Sequence, residues 1–271
     1  MNLKKIKLVV SDMDGTLLNS NNEVSTSFFE LFQKLKEKNI HFCAASGRQY
    51  NSIVDKLAPI KNEIYVIAEN GAIAKKGEEV LLLNSLNSDK IIDIIPTLRK
   101  IDGANMVLCS QDSAYIESKD ARFINLFQEY YYSYQVVDDL VEIAKTTPIL
   151  KIAVYHFNSS EKFIYPEIEH LKNDYLLKVS GQNWLDISTD KANKGNALKA
   201  IQKILNVTKE ETMVFGDYHN DIEMLQEAEF SFAMENAHED IKEIAKHATK
   251  SNNHLGVESV LEKLVENKIP S

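Results

Sequence analysis

A mostly apolar run, Ile6 to Val10, leads straight into Ser11-Asp12-Met13-Asp14-Gly15-Thr16. In extended chain successive side chains alternate faces, so Asp12 and Asp14 can point the same way. An apolar strand of this kind can be buried on both faces of a parallel sheet. Such sheets bind ligands beyond the carboxyl ends of their strands. Two acids crowded at a strand end repel each other unless a cation, a proton or a substrate compensates. The same residues also read as an ordinary Asp-Gly turn after a strand. The dipeptide alone leaves both readings open, and the rest of the chain has to decide between them.

The first third alternates strand and helix patterns. Ile6–Ser11 reads as a strand, and Ser25-Thr26-Ser27 can cap a helix running to about Lys38. Ile40–Ala45 is a second strand, Gln49–Leu57 a helix, and Ile64–Ala68 a third strand. Short strands separated by helices imply a parallel sheet with helices on both faces. From about Leu82 the texture changes. Strand pairs around Ser110–Ser113 and Ser180–Asn183, a long strand over Ile149–Phe157, and helices over Ser88–Ile101, Ala121–Tyr132 and Ser160–Lys172 suggest an antiparallel sheet with helices on one face. Pro96 and Pro166 should kink or weaken two of those helices. The β/α alternation resumes with a helix over Lys194–Leu205, a strand over Thr212–Phe215, a helix over Asp221–Ala228 and a strand over Phe230–Ala233, and it closes with helices over Glu239–Ala245 and Val257–Val265. The expected fold class is α/β. Residues 1–81 and 188–271 form a Rossmann-like parallel-sheet core, and an α+β domain, 82–187, is inserted into it.

Charge and cysteine content narrow the functional classes. The 271 residues carry 31 Lys and Arg against 40 Asp and Glu, a net charge of −9. No dense basic run is present, which argues against nucleic acid as a partner. A chain this acidic repels anions globally, so a phosphate site would need local cations. Cys43 and Cys109 both lie in apolar stretches and read as buried free thiols, in keeping with a reducing compartment. No stretch approaches the roughly 20 apolar residues of a membrane span. The run after Lys4, Lys5 and Lys7 is too brief for a signal peptide. The expectation is a cytoplasmic, soluble protein without membrane partner, a monomer or small homo-oligomer.

Three further clusters fall at element ends. Gly216-Asp217-Tyr218-His219-Asn220-Asp221 follows an apolar strand and opens a helix. Its carboxylates and amide make an oxygen-rich pocket of the kind hard Mg²⁺ prefers, although Asp or Asn before a helix also serves as a simple cap. His219 reads as a surface histidine beside this cluster and is left out of the chemistry. Lys194 sits at a helix start, where the dipole disfavours a cation, so an anionic partner is implied unless the lysine is merely exposed. Ser46-Gly47-Arg48 places a hydroxyl and a Gly-permitted turn at a strand end, suited to phosphate or to a plain strand-to-helix turn.

Taken in order, these clusters resemble the four motifs of the haloacid dehalogenase-like phosphohydrolase superfamily: Asp12-Met13-Asp14-Gly15-Thr16-Leu17, Ser46-Gly47-Arg48, Lys194-Gly195-Asn196-Ala197-Leu198 and Gly216–Asp221. A large insert between the second and third motifs is similar to the cap of the Cof-type subfamily. The resemblance implies an Mg²⁺-dependent phosphatase of small phosphorylated metabolites, among them sugar phosphates. Asp12 would be the nucleophile, Asp14 the general acid and base, and Lys194 a charge-neutralising residue. Ser46 would hydrogen-bond the phosphoryl group, with Gly47, Arg48, Asn70 and Asn220 as further phosphate or substrate contacts. Mg²⁺ would take Asp12, the Asp14 backbone carbonyl and Asp217, with Asp221 and Asn220 in or just behind that shell. The inserted cap would choose the substrate. A phosphosugar mutase on the same scaffold and a non-catalytic sensor of a phosphorylated ligand are the competing expectations.

Overall fold

The computed structural model describes residues 3–128 and 130–267. They fall into two compact units. The first holds the described residues of 3–46, 53–82 and 193–267; the second holds those of 47–52 and 83–192.

The first unit opens with β1 (Leu8–Asp12), β2 (His41–Ala45), β3 (Tyr65–Ala68), β4 (Ile73–Lys76) and β5 (Glu79–Leu83). The second unit holds β6 (Ala104–Ser110), β7 (Ala114–Ile116), β8 (Tyr134–Val136), β9 (Ile149–His156), β10 (Leu176–Val179) and β11 (Trp184–Ser188). The chain then returns to the first sheet with β12 (Thr212–Gly216), β13 (Phe230–Ala233) and β14 (His247–Ala248).

The sheet of the first unit runs β14-β13-β12-β1-β2-β3-β4-β5. From β14 to β3 every neighbouring pair is parallel; β4 turns back antiparallel on β3. Chain order climbs from β1 to β3 on one side and from β12 to β14 on the other. The winding therefore reverses between β1 and β12, and a crevice opens at such a reversal beyond the strand ends. Every residue of β1 and of β12 is buried, as expected of strands covered on both faces.

The helix Thr26–Glu37 shows how the sequence builds one of these layers. Ser25 Oγ accepts the Phe28 N–H at 3.1 Å and caps it. Phe28, Leu31, Phe32 and Leu35 then line one buried face, with helical spacing. Phe28 meets Phe42 of β2 edge to face, with ring centres 5.0 Å apart. Each such side chain contributes about 1.5–3 kcal/mol through burial.

The sheet of the second unit runs β10-β11-β9-β6-β7-β8. It departs from the expected antiparallel sheet at its edge, where β8 pairs parallel with β7. The helix Ala121–Phe127 makes the crossover between these two strands. This helix also places a layer on the face opposite the other helices. Ile152 and Val154 of β9 pack with Ile91, Ile95 and Leu98, whereas the alternate residues Ala153 and Tyr155 pack with Phe123 and Phe127. Helices thus cover both faces, not one. The helix expected over Ala121–Tyr132 ends at Phe127; Glu129 lies outside the described residues. Pro96 sits within the helix Ser88–Leu98, which continues past it. Near Pro166 the expected single helix splits into Ser160–Phe163, Tyr165–Ile168 and a 3₁₀ turn over Glu169–Asn173.

The second unit also buries a charge pair. Lys151 Nζ lies 3.3 Å from Asp186 Oδ2, both side chains about as buried as core residues, and donates to the Gly47 carbonyl at 3.1 Å. Removing one partner takes from the other buried charge its counter-ion. Lys151→Met should therefore lower stability in urea denaturation by about 3–5 kcal/mol, and Lys151→Met with Asp186→Leu by distinctly less. Equal losses in the single and double variants would show that the pair is not coupled.

Candidate active site

The crowded acids at the end of β1 lie at the winding reversal. Asp12 is the last residue of the strand and is buried, while Asp14 is exposed. The chain folds back immediately. The Leu17 N–H donates to the Asp12 carbonyl at 3.3 Å and the Leu18 N–H to the Met13 carbonyl at 2.8 Å. Gly15 sits at φ +77°, and a Cβ there would lie 2.2 Å from Asp217 Oδ2. Only a glycine permits both that backbone and that approach. The Thr16 hydroxyl donates to Asp217 Oδ1 at 3.1 Å, and Asn236 Nδ2 holds the Gly15 carbonyl at 2.8 Å.

Lys194 joins the two acidic clusters. It is the first residue of the helix Lys194–Leu205, whose cap is Asn193, accepting the Asn196 N–H at 2.8 Å. Its side chain is fully buried. Nζ donates to Asp12 Oδ1 at 2.5 Å and to Asp221 Oδ1 at 2.7 Å. The other oxygen of Asp221 accepts the N–H groups of Asp217 and Tyr218, at 2.9 and 3.1 Å. Asp221 is thus a loop cap and an ion-pair partner at once. One carboxylate oxygen from each of Asp12, Asp217 and Asp221 lies within 4.8 Å of the others.

A second group of predicted residues meets beside these acids. The Asn70 N–H donates to the Ser46 carbonyl at 3.0 Å, and its side-chain oxygen accepts from Asn220 Nδ2 at 3.1 Å. Asn70 holds φ 54° and Glu69 φ 50°, left-handed conformations that non-glycine residues seldom adopt. Gly71 follows at φ +94°, where a Cβ would lie 2.3 Å from the Asn193 carbonyl. The turn after β3 is therefore packed directly on the residue that caps the Lys194 helix. Gly47 and Arg48 fall in the 47–52 segment that belongs to the second unit.

Electrostatics follow from this crowding. Burial pushes the Asp12 carboxyl well above its ordinary range; Lys194 opposes the rise, and Asp221, Asp217 and Asp14 add to it. Burial, then the Asp221 charge, lifts Asp217 to about 7. Burial alone would depress Lys194, but Asp12 and Asp221 outweigh it and hold the ammonium charged. Three carboxylates facing one lysine leave negative charge that only a proton or a cation can offset. The donor set, all carboxylate oxygens in close reach, fits a hard divalent cation.

Reading the sequence left Thr16, Asn193 and Asn236 without roles. Asn193 carried a usable signal, an Asn immediately before a helix. The approach of Thr16 and Asn236 to residues some 200 positions away in sequence carried none. Gly15→Ala should cost about 1–3 kcal/mol of stability, from strain at positive φ and displacement of Asp217. Urea denaturation matching the unaltered protein would contradict the close approach.

Comparisons with known proteins give the family of the chain. The family model for haloacid dehalogenase-like hydrolases matches residues 9–261. The Escherichia coli protein 5-amino-6-(5-phospho-D-ribitylamino)uracil phosphatase YbjI is 31% identical over 273 residues, covering 98% of each chain. The solved structure of TM0651 from Thermotoga maritima aligns with a TM-score of 0.84 at 30% identity, covering 98% of both chains. SMU.1108c from Streptococcus mutans aligns with a TM-score of 0.87 at 26% identity, over 96% of this chain and 99% of that one. No helix among the described residues is long and apolar enough to cross a membrane. The chain belongs to the haloacid dehalogenase-like hydrolase family.

Proposed function

We propose that this hydrolase is an Mg²⁺-dependent phosphatase that cleaves small phosphomonoesters through a phosphoryl group carried on Asp12. The family is one of hydrolases, and the Escherichia coli relative is named a phosphatase. The single observation that best supports the mechanism is the buried lysine linking Asp12 to Asp221.

In this reading Lys194 fixes Asp12 Oδ1 and opposes the burial that favours its acid form. A carboxylate oxygen of Asp12 attacks phosphorus as the ester P–O bond breaks. Asp14, exposed and two residues on, gives its proton to the departing oxygen. Asp14 then takes a proton from water, which attacks phosphorus, releases inorganic phosphate and restores the Asp12 carboxylate. Ser46 and the Asn70–Asn220 pair hold and orient the phosphoryl oxygens, with Gly47 and Arg48 contributing from the segment that follows. Asp12, Asp217 and the Asp14 carbonyl would hold Mg²⁺, which supplies charge neutralisation at the phosphoryl oxygens. Both oxygens of Asp221 are already engaged, by Lys194 and by two backbone N–H groups, which supports a place for it behind the metal ligands.

The second unit would serve as the cap that selects substrate and sheds water from the reaction. The named activity of the Escherichia coli relative, on a phosphorylated ribityl chain attached to a uracil, makes phosphorylated polyols and sugars the first substrates to try. The protein would work in the cytoplasm.

Two measurements test the reading. With p-nitrophenyl phosphate, turnover should require Mg²⁺, and Asp12→Asn should lose on the order of 10³-fold or more. Undiminished turnover in that variant would contradict the covalent route. The second is thermodynamic. Asp217 holds its proton to about pH 7 in the folded chain, whereas an unfolded aspartate loses it near pH 4. The Asp217 contribution to the stability of the metal-free fold therefore falls as pH rises between those values and does not recover above them. Mg²⁺ should raise the melting temperature more at about pH 8 than at about pH 5. Equal shifts at the two pH values would place the cation elsewhere.

A further inference from the structure

Next to the carboxylate cluster lies a second convergence of side chains that the phosphatase reading does not use. His219 belongs to the 3₁₀ turn His219–Asp221, and His238 caps the helix Glu239–Ile244. Asp240 Oδ2 lies 2.9 Å from His219 Nε2 and 3.5 Å from His238 Nδ1. The two imidazole rings are 4.3 Å apart, centre to centre. One donor atom from each of the three residues lies within 4.8 Å of the others. We propose that His219, His238 and Asp240 form a separate site for a borderline transition-metal ion of the Zn²⁺ type.

The donor chemistry separates this site from its neighbour. Two imidazole nitrogens and one carboxylate oxygen suit Zn²⁺, whereas an all-oxygen set suits Mg²⁺. The spacing is close to what the ion needs. Donors about 2.0–2.2 Å from a tetrahedral Zn²⁺ stand roughly 3.3–3.6 Å from one another. The present triangle reaches that by side-chain adjustments. Coordination through His238 Nδ1 gives up one hydrogen bond, from the Asp240 N–H at 3.2 Å. All three side chains are at least one-third exposed, so an ion has a direct path, and water can complete the coordination.

The anchoring gives the site a consequence. The His238 N–H donates to the Asp217 carbonyl at 2.9 Å, and His219 lies two residues beyond Asp217. An ion held by both histidines and Asp240 ties the turn carrying Asp217 and Asp221 to the helix that follows β13. It would brace the loop that shapes the carboxylate cluster while leaving that cluster's own oxygens alone.

Zn²⁺ titration by calorimetry, in millimolar Mg²⁺ to occupy the carboxylate cluster, tests the proposal. The unaltered protein should bind one Zn²⁺ with micromolar or tighter affinity and gain melting temperature. His219→Gln and His238→Asn should each weaken binding at least about ten-fold and lose the thermal gain. His238→Asn keeps a side chain able to cap the helix, so a loss there is not a folding defect. Co²⁺ in place of Zn²⁺ should give visible ligand-field absorption in the unaltered protein and none in His219→Gln. Absence of Zn²⁺ binding in Mg²⁺, or equal binding by the protein and both variants, would overturn the site.

Discussion

A buried ammonium between two carboxylates holds the site together. Lys194 has no exposure to solvent and binds Asp12 from the first strand and Asp221 from the loop after β12. Each of these charges alone would be costly to bury; together they offset one another across segments more than 180 residues apart in sequence. The pair also orders its surroundings. Asp221 turns its second oxygen to the backbone N–H groups of Asp217 and Tyr218, which fixes the loop that presents Asp217. In the proposed reading stability and chemistry rest on the same contacts, and the carboxylates of Asp12, Asp217 and Asp221 set against one lysine suit the cluster to a cation.

Topology explains why these segments meet. β1 and β12 are neighbours in the sheet, and the winding reverses between them, so the loops leaving their carboxyl ends diverge to opposite sides. Gly15 then lets the first loop approach Asp217 closely enough for Thr16 to reach it. The turn after β3 joins the same neighbourhood through Gly71, packed on Asn193, and through Asn70, which reaches Asn220. Four strand or helix ends therefore converge with little freedom left in any of them.

Much of this was legible in the chain. The parallel strands announce themselves as short apolar runs, each followed by a polar cluster, and the four clusters in order carry the family resemblance that the comparisons bear out. What was not legible depends on contacts distant in sequence or on marginal signals. β4, β5, β8 and β14 are short and partly exposed, so no alternation stands out in them. The parallel pairing of β8 and the helix layer on the second face follow from Phe123 and Phe127 packing on Ala153 and Tyr155, a tertiary fact. His219 shows the same limit: beside the motif it reads as a bystander, and only the fold brings His238 and Asp240 to it.

The central claim is that Asp12 carries the phosphoryl group. The direct test uses Asp14→Asn with p-nitrophenyl phosphate, whose leaving group needs no protonation. That variant should form the acyl phosphate and release it slowly. Acid quenching, borohydride reduction and peptide mass spectrometry should then find Asp12 converted to homoserine. Recovery of Asp12 unmodified at every quench time, with p-nitrophenol still released, would contradict the account.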